Sequence, residues 1–438
     1  MKKRIGLNGA PICQPFLAAL LAVVVAASGL TGCSGPAPVE TIVRADEARS
    51  QKPRLSAGSP AVDSVPALVV GNTQFALDLY GALFDGGGNL FLSPHSLSMA
   101  LAMTYAGARG ETEEQMAEAL HFSLPQAQLH PAFNALDQAL AGRGQDEPGA
   151  FQLRSANALW GQEDDTFLAP FLDTLAENYG AGMQLVDLGR AEEARRQINN
   201  WGREQTENRI EALLPPGALN AATALVVTNA AYFQAAWQKP FAEDATHDAG
   251  FTLLEGSQVM VPTMEQVASL GYAERPGVQA VELPYAGGGL SMVILLPEEG
   301  RFETFAHTLD AEQLDTILGA LAPTNLHLAL PKFRYDAGFA LRNALTDLGM
   351  IDAFGDPADF SGMDGSHELF IKQVYHQAFV EVDEAGTEAT AASAVVVARK
   401  GELLAGQEVR VDRPFLFLIR DVDTGAILFL GHVVNPLP

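Results

Sequence analysis

The spacing of apolar residues in the first half of the chain is largely that of amphipathic helices. Residues 69–83 repeat apolar side chains at helical intervals, and Ser93-Pro94 precedes a second such run over 97–106. A proline in the first helical turn is compatible with a helix start, because the N–H that it lacks would have no partner there. The same helical spacing recurs at 111–120, 167–179 and 194–205. The pattern therefore predicts mainly helices in this half.

Strand patterns take over in the second half. Residues 224–233 form an apolar run rich in β-branched side chains, which is typical of a buried strand. Several strand-like runs lie between residues 251 and 296, and two more, at 415–419 and 426–429, end the chain. Helices that come first and strands that follow indicate an α+β fold. No solenoid-type repeat and no linker-like stretch after Pro66 is found, so we expect one body domain.

Residues 384–397 alternate like a β-strand for which the chain offers no evident partner. One face is small or apolar throughout and consists of Thr387, Ala389, Ala391, Ser393, Val395 and Val397. No proline occurs between Gly386 and Arg413, so every backbone N–H group in that range is free to join a sheet. Arg399 and Lys400 follow the alternating run. Two interpretations are open: a mobile bait loop that is cut after a basic residue and then inserts into a sheet, or an ordinary alanine-rich helix or edge strand.

The N-terminus has the layout of an export signal. Basic residues at 2–4 precede an apolar run at 16–27, and the Leu-Thr-Gly-Cys that ends at Cys33 resembles a bacterial lipobox. That resemblance implies a signal peptide at 1–32 and a lipid on Cys33. A plain secretory signal or a transmembrane anchor is the alternative, although the apolar run is short for a span. Ser34 follows, where an aspartate would indicate inner-membrane retention, so we expect an exported protein anchored at the outer membrane or cell surface.

The segment after the signal has the composition of a flexible tether. Residues 33–66 are rich in proline, alanine, serine and charge, so we predict a tether there and a body domain at 67–438. The only other cysteine, Cys13, lies in the predicted signal, and the mature chain therefore has no cysteine pair for an internal disulfide. The body must be held together by its core, although the compartment outside the cytoplasm is oxidising.

Charge and motifs exclude several classes of function. A formal net charge of -26 repels nucleic-acid phosphates, so we expect no nucleic-acid partner. The chain has no G-x-S-x-G, H-E-x-x-H, Walker-loop or C-x-x-C motif. His376 is far in sequence from Ser93 and Ser96, which favours a buried polar cluster over a catalytic pair. We expect no catalytic residue, no cofactor and no metal.

Short sequence blocks follow one another in a set order from Asn72 to the C-terminus. They are FLSPHSLS at 91–98, GARGET at 107–112, TNAAYF at 228–233 with Trp237 and Pro240-Phe241, PKF at 331–333, LGM at 348–350, ADFSG at 358–362, DEAGTEA at 383–389, RPF at 413–415, Gly431 and Asn435-Pro436. In this order the blocks resemble those of the serpins, the serine protease inhibitor family, over nearly the whole body. Each block alone is modest evidence, but the ordered set is specific.

The resemblance implies a fold of about nine helices and three β-sheets, with an exposed reactive loop at about 384–413. In this family a protease cleaves the loop and forms an acyl-enzyme, and the loop then inserts into the large central sheet as an extra strand. The protease is carried away and distorted in a covalent complex, so the protease supplies the nucleophile. We therefore expect a metastable, monomeric inhibitor whose partner is a target serine protease.

The resemblance also assigns roles to residues of this chain. A hinge at the start of the loop must be small to enter the sheet, which favours an inhibitor over a non-inhibitory relative. The hinge residues are Glu384, Gly386, Thr387, Glu388, Ala389 and Ala391. Beneath the sheet, Ser93, Ser96, Asn229 and His376 are expected to form the shutter cluster, and Trp237 is expected at the breach, where insertion starts.

One count places the scissile bond after a basic residue. The family's usual fourteen residues from Gly386 lead to Lys400, so the cut would separate Lys400 from Gly401. Arg399 is the neighbouring alternative. Either base indicates a trypsin-like protease, whose primary pocket carries an acid.

A second count leads to a different target. Eleven residues back from Pro414 is Leu403, and Leu403 or Leu404 would indicate a chymotrypsin- or elastase-like protease. Inhibition of a cysteine protease, a non-inhibitory binding or chaperone protein of the same fold, and a lipid-anchored enzyme of another fold are the remaining alternatives. The small hinge counts against the non-inhibitory protein, and the missing catalytic motifs count against the enzyme.

Overall fold

In the part of the chain that the structure describes, helices pack against two β-sheets. The structure is a computed structural model, and it describes residues 46–143, 151–220, 223–387 and 406–437. Its α-helices are α1 (Ser59–Leu83), α2 (Pro94–Tyr105), α3 (Gly110–Ala119), α4 (Gln126–Ala141), α5 (Ala169–Tyr179), α6 (Ala191–Gln205), α7 (Phe302–Thr308), α8 (Ala311–Leu318), α9 (Arg342–Asp347) and α10 (Ser361–Asp364). Its strands are β1 (Asp46–Ala48), β2 (Leu90–Leu92), β3 (Phe151–Gln162), β4 (Met183–Val186), β5 (Leu225–Ala236), β6 (His247–Thr252), β7 (Gln258–Arg275), β8 (Val278–Pro284), β9 (Leu290–Pro297), β10 (Ala322–Pro331), β11 (Phe333–Ala340), β12 (Ile371–Val382), β13 (Gly386–Thr387), β14 (Gln407–Arg410), β15 (Phe415–Asp421) and β16 (Ile427–Val433).

The first sheet, sheet A, has seven strands in the order β1-β4-β3-β5-β13-β12-β11. Its central strands β5 and β12 run parallel and pair directly from Leu225 and Ile371 to Tyr232 and Phe379. Beyond that point the two-residue strand β13 lies between them and is antiparallel to both. In sheet A, β5 and β12 are therefore paired directly along most of their length and are separated by β13 at one end.

Both faces of sheet A are covered. Helix α2 is buried along its whole length, where it packs against β3, β5 and β16. On the opposite face, Ile198 of α6 packs with Trp160 and Tyr375 in a second apolar cluster. Burial on both sides explains the continuous apolar sequence of β5, because neither set of alternating side chains faces water. Within the described ranges, no helix is both long and apolar enough to cross a membrane.

The second sheet has the strand order β14-β10-β7-β8-β9-β15-β16-β2, with β6 also paired to β7. The third sheet expected from the sequence is continuous with this one. The reason is the length of β7, 18 residues, which pairs with β6 along its first part, with β10 along its middle part and with β8 along its last part. The predicted α+β organisation is confirmed.

The start of the body differs from the sequence prediction. Residues 46–58, which we call the N-terminal arm, pack against the body instead of forming part of a tether. Strand β1 pairs with the edge strand β4, Lys52 forms ion pairs with Asp173 and Glu177 of α5, and Arg54 binds Asn134 and Asp137 of α4. Helix α1 then begins at Ser59, so the boundary predicted at residue 67 lies too far along the chain.

Arg54→Ala is expected to loosen the arm. Arg54 donates to Asn134 Oδ1 at 2.8 Å and to Asp137 Oδ2 at 2.6 Å, and partly exposed contacts of this kind contribute about 1 kcal/mol in total. Amide hydrogen exchange of residues 46–58 should therefore accelerate about fivefold. Arg301→Ala removes an exposed arginine elsewhere and should leave this exchange unchanged. Equal exchange in the two variants would show that Arg54 does not hold the arm.

Candidate functional site

Two residues of the hinge, Gly386 and Thr387, form a short strand in sheet A. Gly386 and Thr387 pair with Ala236 and Ala235 of β5, and Thr387 pairs with Val382 of β12. A Cβ atom on Gly386 would lie 2.0 Å from the carbonyl oxygen of Ala235, so only glycine fits. Thr387 points inward with its side chain 1% exposed. The small face of the alternating run therefore begins on the inner side of the sheet.

An ion pair holds Glu384, the first residue of the hinge. Glu384 Oε2 accepts a hydrogen bond from Lys332 Nζ at 2.6 Å, and Oε1 accepts one from Thr246 Oγ1 at 2.7 Å. Partial burial acts to raise the pKa of Glu384, but the hydrogen bonds from Lys332 and Thr246 outweigh it and hold the pKa below its usual range. The charged carboxylate of Glu384 therefore fixes the turn that leads into β13.

Trp237, the predicted breach residue, contacts the hinge directly. Its indole Nε1 donates to the Asp383 carbonyl at 2.9 Å, and its main-chain N–H donates to the Ala385 carbonyl at 2.9 Å. The indole stacks on Tyr285 with ring centroids 4.7 Å apart. Tyr285 Oη in turn lies 2.7 Å from Thr387 Oγ1. Two stacked aromatic rings thus support the hinge where it enters sheet A. Tyr285 carried no signal in the sequence, because its partners Trp237 and Thr387 lie 48 and 102 residues away.

The four predicted shutter residues meet beneath sheet A, all of them buried. His376 Nδ1 donates to Asn229 Oδ1 at 2.5 Å, and His376 Nε2 accepts from the Ser93 N–H at 3.1 Å. Asn229 donates to Ser96 Oγ, and Ser93 Oγ donates to the Leu428 carbonyl at 2.7 Å. His376 and Asn229 are register partners across β12 and β5. A strand inserted between β5 and β12 must break their hydrogen bond.

Two residues of β3 extend this cluster and were not predicted. Asn157 Oδ1 accepts from Asn229, and Ser155 Oγ lies within hydrogen-bond distance of Ser96 Oγ. Both project towards α2 from alternate positions on β3. In the sequence they are recognisable only as polar residues two positions apart in a strand. That pattern does not distinguish a buried network from a solvent-exposed face.

Comparison with known proteins decides the family. The model of the serpin family, described as serine protease inhibitor, matches residues 70–436. This chain is a serpin. The leukocyte elastase inhibitor of Sus scrofa is 41% identical over 384 residues, covering 84% of this chain and 99% of the relative. An uncharacterised serpin-like protein of Thermococcus kodakarensis is 40% identical over 366 residues, covering 83% of this chain and 84% of the relative.

Solved structures agree with this assignment. The thermophilic serpin tengpin in its native state superposes with a TM-score of 0.79 at 27% identity, over 90% of this serpin and 100% of tengpin. Uncleaved ovalbumin superposes with a TM-score of 0.75 at 28% identity, over 84% of this serpin and 100% of ovalbumin. The predicted serpin fold is confirmed, and the family consists of protease inhibitors rather than enzymes.

Several predicted site residues of this serpin lie outside the described residues. They are Glu388, Ala389 and Ala391 of the hinge, the candidate scissile residues Arg399, Lys400, Gly401, Leu403 and Leu404, and the lipidation site Cys33. Their roles stay predictions.

Acid is expected to weaken the closed sheet through His376. Burial lowers the pKa of His376 to about 3, from 6.5 in an unfolded chain, so the unfolded chain binds a proton before the folded one does. The stabilising effect of the neutral ring is complete above pH 6.5 and is lost as the pH falls, by about 2–3 kcal/mol at pH 4.5. His130 and His432, whose pKa values burial lowers to about 4, add to the total.

Thermal unfolding between pH 7.5 and 4.5 separates the contribution of His376. His376→Gln removes the titrating group and leaves His130 and His432 in place, so its midpoint should fall less steeply with acid than that of the original protein. Parallel pH profiles would contradict this assignment.

Proposed function

We propose that this serpin inhibits serine proteases by inserting its cleaved reactive loop into sheet A between β5 and β12. The observation that carries the proposal is β13, because this two-residue strand near the start of the loop already lies between β5 and β12 and pairs with both of them. A strand antiparallel to both would replace one parallel pairing with two antiparallel ones. The gain in ladder hydrogen bonds and in buried side chains would drive insertion.

The register of β13 supports cleavage after a basic residue. Continuing from Thr387 opposite Ala235, an inserted loop would place Val397 opposite Leu225, the first residue of β5. Arg399 and Lys400 would then fall just beyond the slot. The side chains on the inner face would be those that share the parity of Thr387, all of them small or aliphatic. We therefore place the scissile bond at Lys400–Gly401, with Arg399 as the alternative, and infer a trypsin-like target.

An elastase-like target is the second candidate. The observation in its favour is that the relatives with the printed name leukocyte elastase inhibitor, from Sus scrofa and other vertebrates, are 37–41% identical to this chain. A protease of this kind would cleave after Leu403 or Leu404. It would leave several more residues beyond the end of β5 than cleavage at Lys400 does.

One experiment tests the mechanism and the target together. The mature chain with Cys33→Ser is mixed with trypsin, chymotrypsin, elastase or a papain-like cysteine protease, and the products are analysed on denaturing gels and by mass spectrometry. A stable complex with trypsin and a released peptide that starts at Gly401 is expected. A peptide that starts at Lys400 moves the bond by one residue, and one that starts at Leu404 or Ala405 favours elastase- or chymotrypsin-like proteases. Cleavage without a complex favours a non-inhibitory binding or chaperone protein.

The location of the protein belongs to the same proposal. The basic, apolar and lipobox segments before Ser34 support export and a lipid anchor at Cys33, at the outer membrane or the cell surface. Metabolic labelling with an alkyne fatty acid should mark the full chain but not Cys33→Ala. Size-exclusion chromatography of the Cys33→Ser form tests whether the serpin is a monomer.

A further inference from the structure

The N-terminal arm fixes the point at which the preceding chain joins the body. Strand β1 forms the outer edge of sheet A, where it pairs with β4. A Cβ atom on Gly182 would lie 2.7 Å from the carbonyl oxygen of Ala48, so the close approach of the arm to this edge requires glycine. Arg49 Nη2 donates to the Gly180 carbonyl at 2.6 Å, and Lys52 forms two ion pairs with α5. These contacts hold the start of the arm in place on the edge of sheet A.

The arm begins at the end of sheet A that is remote from the hinge. Asp46 pairs with Leu185 of β4, which pairs with Gly161 of β3 at the level of the first residue of β5. The hinge residue Thr387 instead pairs with Ala235, ten residues farther along β5. At about 3.3 Å per residue, the two levels are about 33 Å apart along the strands. The chain therefore enters the body at the end of sheet A opposite to the hinge.

A trapped protease would finish at this same end of the sheet. In the register inferred from β13, the inserted loop places Val397 opposite Leu225, and the acyl bond at Lys400 lies just beyond. Three strands, β4, β3 and β5, separate β1 from the inserted strand, a lateral distance of about 19 Å. A protease of about 225 residues has a diameter of about 45 Å. Its body would therefore extend sideways to the point where the chain from Cys33 joins sheet A.

We propose that the lipid anchor turns this remote end of sheet A towards the membrane, so that the hinge end faces outward and a trapped protease comes to rest between the body and the lipid surface. A net charge of -26 repels anionic lipid and keeps the body from lying flat on it. The thirteen residue steps from Cys33 to Asp46 span at most about 44 Å, close to one protease diameter. The tether is therefore just long enough for insertion to be completed.

Energy transfer to the membrane tests the orientation without a protease. Cys33 would carry the lipid and Cys13 lies in the predicted signal, so an introduced cysteine is the only free thiol of the mature chain. Gln152, near the start of β3, and Asp164, just after its end, are both exposed. Each is replaced by cysteine and labelled with a dye in the lipidated protein, on vesicles of phosphatidylcholine and phosphatidylglycerol that contain an acceptor lipid.

Transfer should be at least about twofold more efficient from position 164 than from position 152, because the two ends of β3 are about 36 Å apart. Equal transfer from the two positions would mean that the anchored body has no preferred orientation. Stronger transfer from position 152 would mean that the hinge end faces the membrane. Either result would overturn the proposal.

A variant that releases the arm tests why the orientation is fixed. Gly182→Val should detach residues 46–58 and lengthen the connection by up to about 40 Å, so that transfer from the two positions becomes equal. Faster amide hydrogen exchange of residues 46–58 confirms the release. Gly81→Val adds the same side chain in open space on α1 and should leave the difference in place. A difference that persists after the arm is released would overturn the role of the arm.

Inhibition on the vesicles tests the length of the tether. Removing residues 36–43 leaves five residue steps between Cys33 and Asp46, with a reach of about 17 Å. On vesicles, the stoichiometry of trypsin inhibition should then rise at least about fivefold, a change that about 1 kcal/mol of added barrier to insertion produces. The same deletion in the soluble Cys33→Ser form should leave the stoichiometry unchanged. Adding Gly182→Val to the shortened anchored protein should restore inhibition.

The orientation rests on the proposed lipid anchor, and its effect on inhibition rests on the proposed loop insertion, but the outcomes distinguish these failures. If the soluble form inhibits and the shortened anchored form inhibits equally well, the trapped protease does not lie at the membrane and the inference fails while the proposed function stands. If the soluble form inhibits no protease, the proposed function fails, and the transfer data still decide the orientation. If the full chain does not bind the vesicles, the lipid anchor fails and the orientation fails with it.

Discussion

Thr387→Arg is expected to turn this serpin from an inhibitor into a substrate of its target protease. Thr387 is buried between β5 and β12, with its hydroxyl oxygen 2.7 Å from Tyr285 Oη. An arginine there would need to bury its charge between β5 and β12, and this cost slows insertion of the loop. Hydrolysis of the acyl-enzyme then overtakes trapping. The stoichiometry of inhibition should rise at least about tenfold, since each 1.4 kcal/mol of added barrier slows insertion by that factor.

The alternation of the strand supplies a matched control. Glu388→Arg makes a similar change on the other face of the loop, where the side chain would face outward, and should leave the stoichiometry within about twofold of the original value. Ala389→Arg shares the parity of Thr387 and should again produce a substrate. If Glu388→Arg and Thr387→Arg behave alike, the register inferred from β13 is wrong. Faster amide exchange at Gly386 in the Thr387 variant reports loss of β13 even without a protease.

Asn229→Ala is expected to cause the largest loss of stability among single changes at the shutter. Asn229 is fully buried, donates to Ser96 and Asn157, and accepts from His376. The substitution removes three hydrogen bonds and leaves the buried His376 Nδ1 without its acceptor, so the free energy of unfolding should fall by about 3–5 kcal/mol. Because the bond between Asn229 and His376 joins β5 to β12, the weakened sheet should also open more readily on heating.

Two measurements check the Asn229 prediction. The first unfolding transition in urea gives the loss of stability, and size-exclusion chromatography after mild heating shows whether sheet opening leads to loop–sheet polymers. Asn325→Ala makes the same chemical change at an exposed position on β10 and should shift the transition by less than about 0.5 kcal/mol. A similar small shift for Asn229→Ala would show that the network contributes little to closing the sheet.

Much of the candidate site was predictable because its residues stand in recognisable local patterns. Ser93 and Pro94 mark the start of α2, and the structure has Ser93 as the N-cap residue. Alternation in a strand assigned Thr387 to the small face, and its side chain is indeed buried. These features depend on neighbours within a few positions, where steric and hydrogen-bonding rules act on the sequence directly.

Other features depend on pairings between distant segments. Tyr285, which follows β8, and Lys332, which lies between β10 and β11, contact the hinge from far away in the sequence. Neither residue type indicates such a contact on its own. Gln266 Oε1 of β7 is likewise buried without a hydrogen-bond donor among the described residues, and this can be recognised only when the neighbours of β7 are in place. A hydrogen-bond inventory needs the three-dimensional arrangement of donors and acceptors.

The sequence by itself therefore determined the family and the α+β organisation, and it singled out Thr387 on the small face of the hinge and four of the residues that meet beneath sheet A. Only the tertiary structure decided that residues 46–58 dock as an arm, that β7 joins the expected second and third sheets, and that the hinge occupies two positions in sheet A. The physical reason is the range of the interactions. Helix spacing, capping and strand alternation are set by adjacent residues, whereas edge pairing, ion pairs and strand insertion are set by groups that only folding brings together.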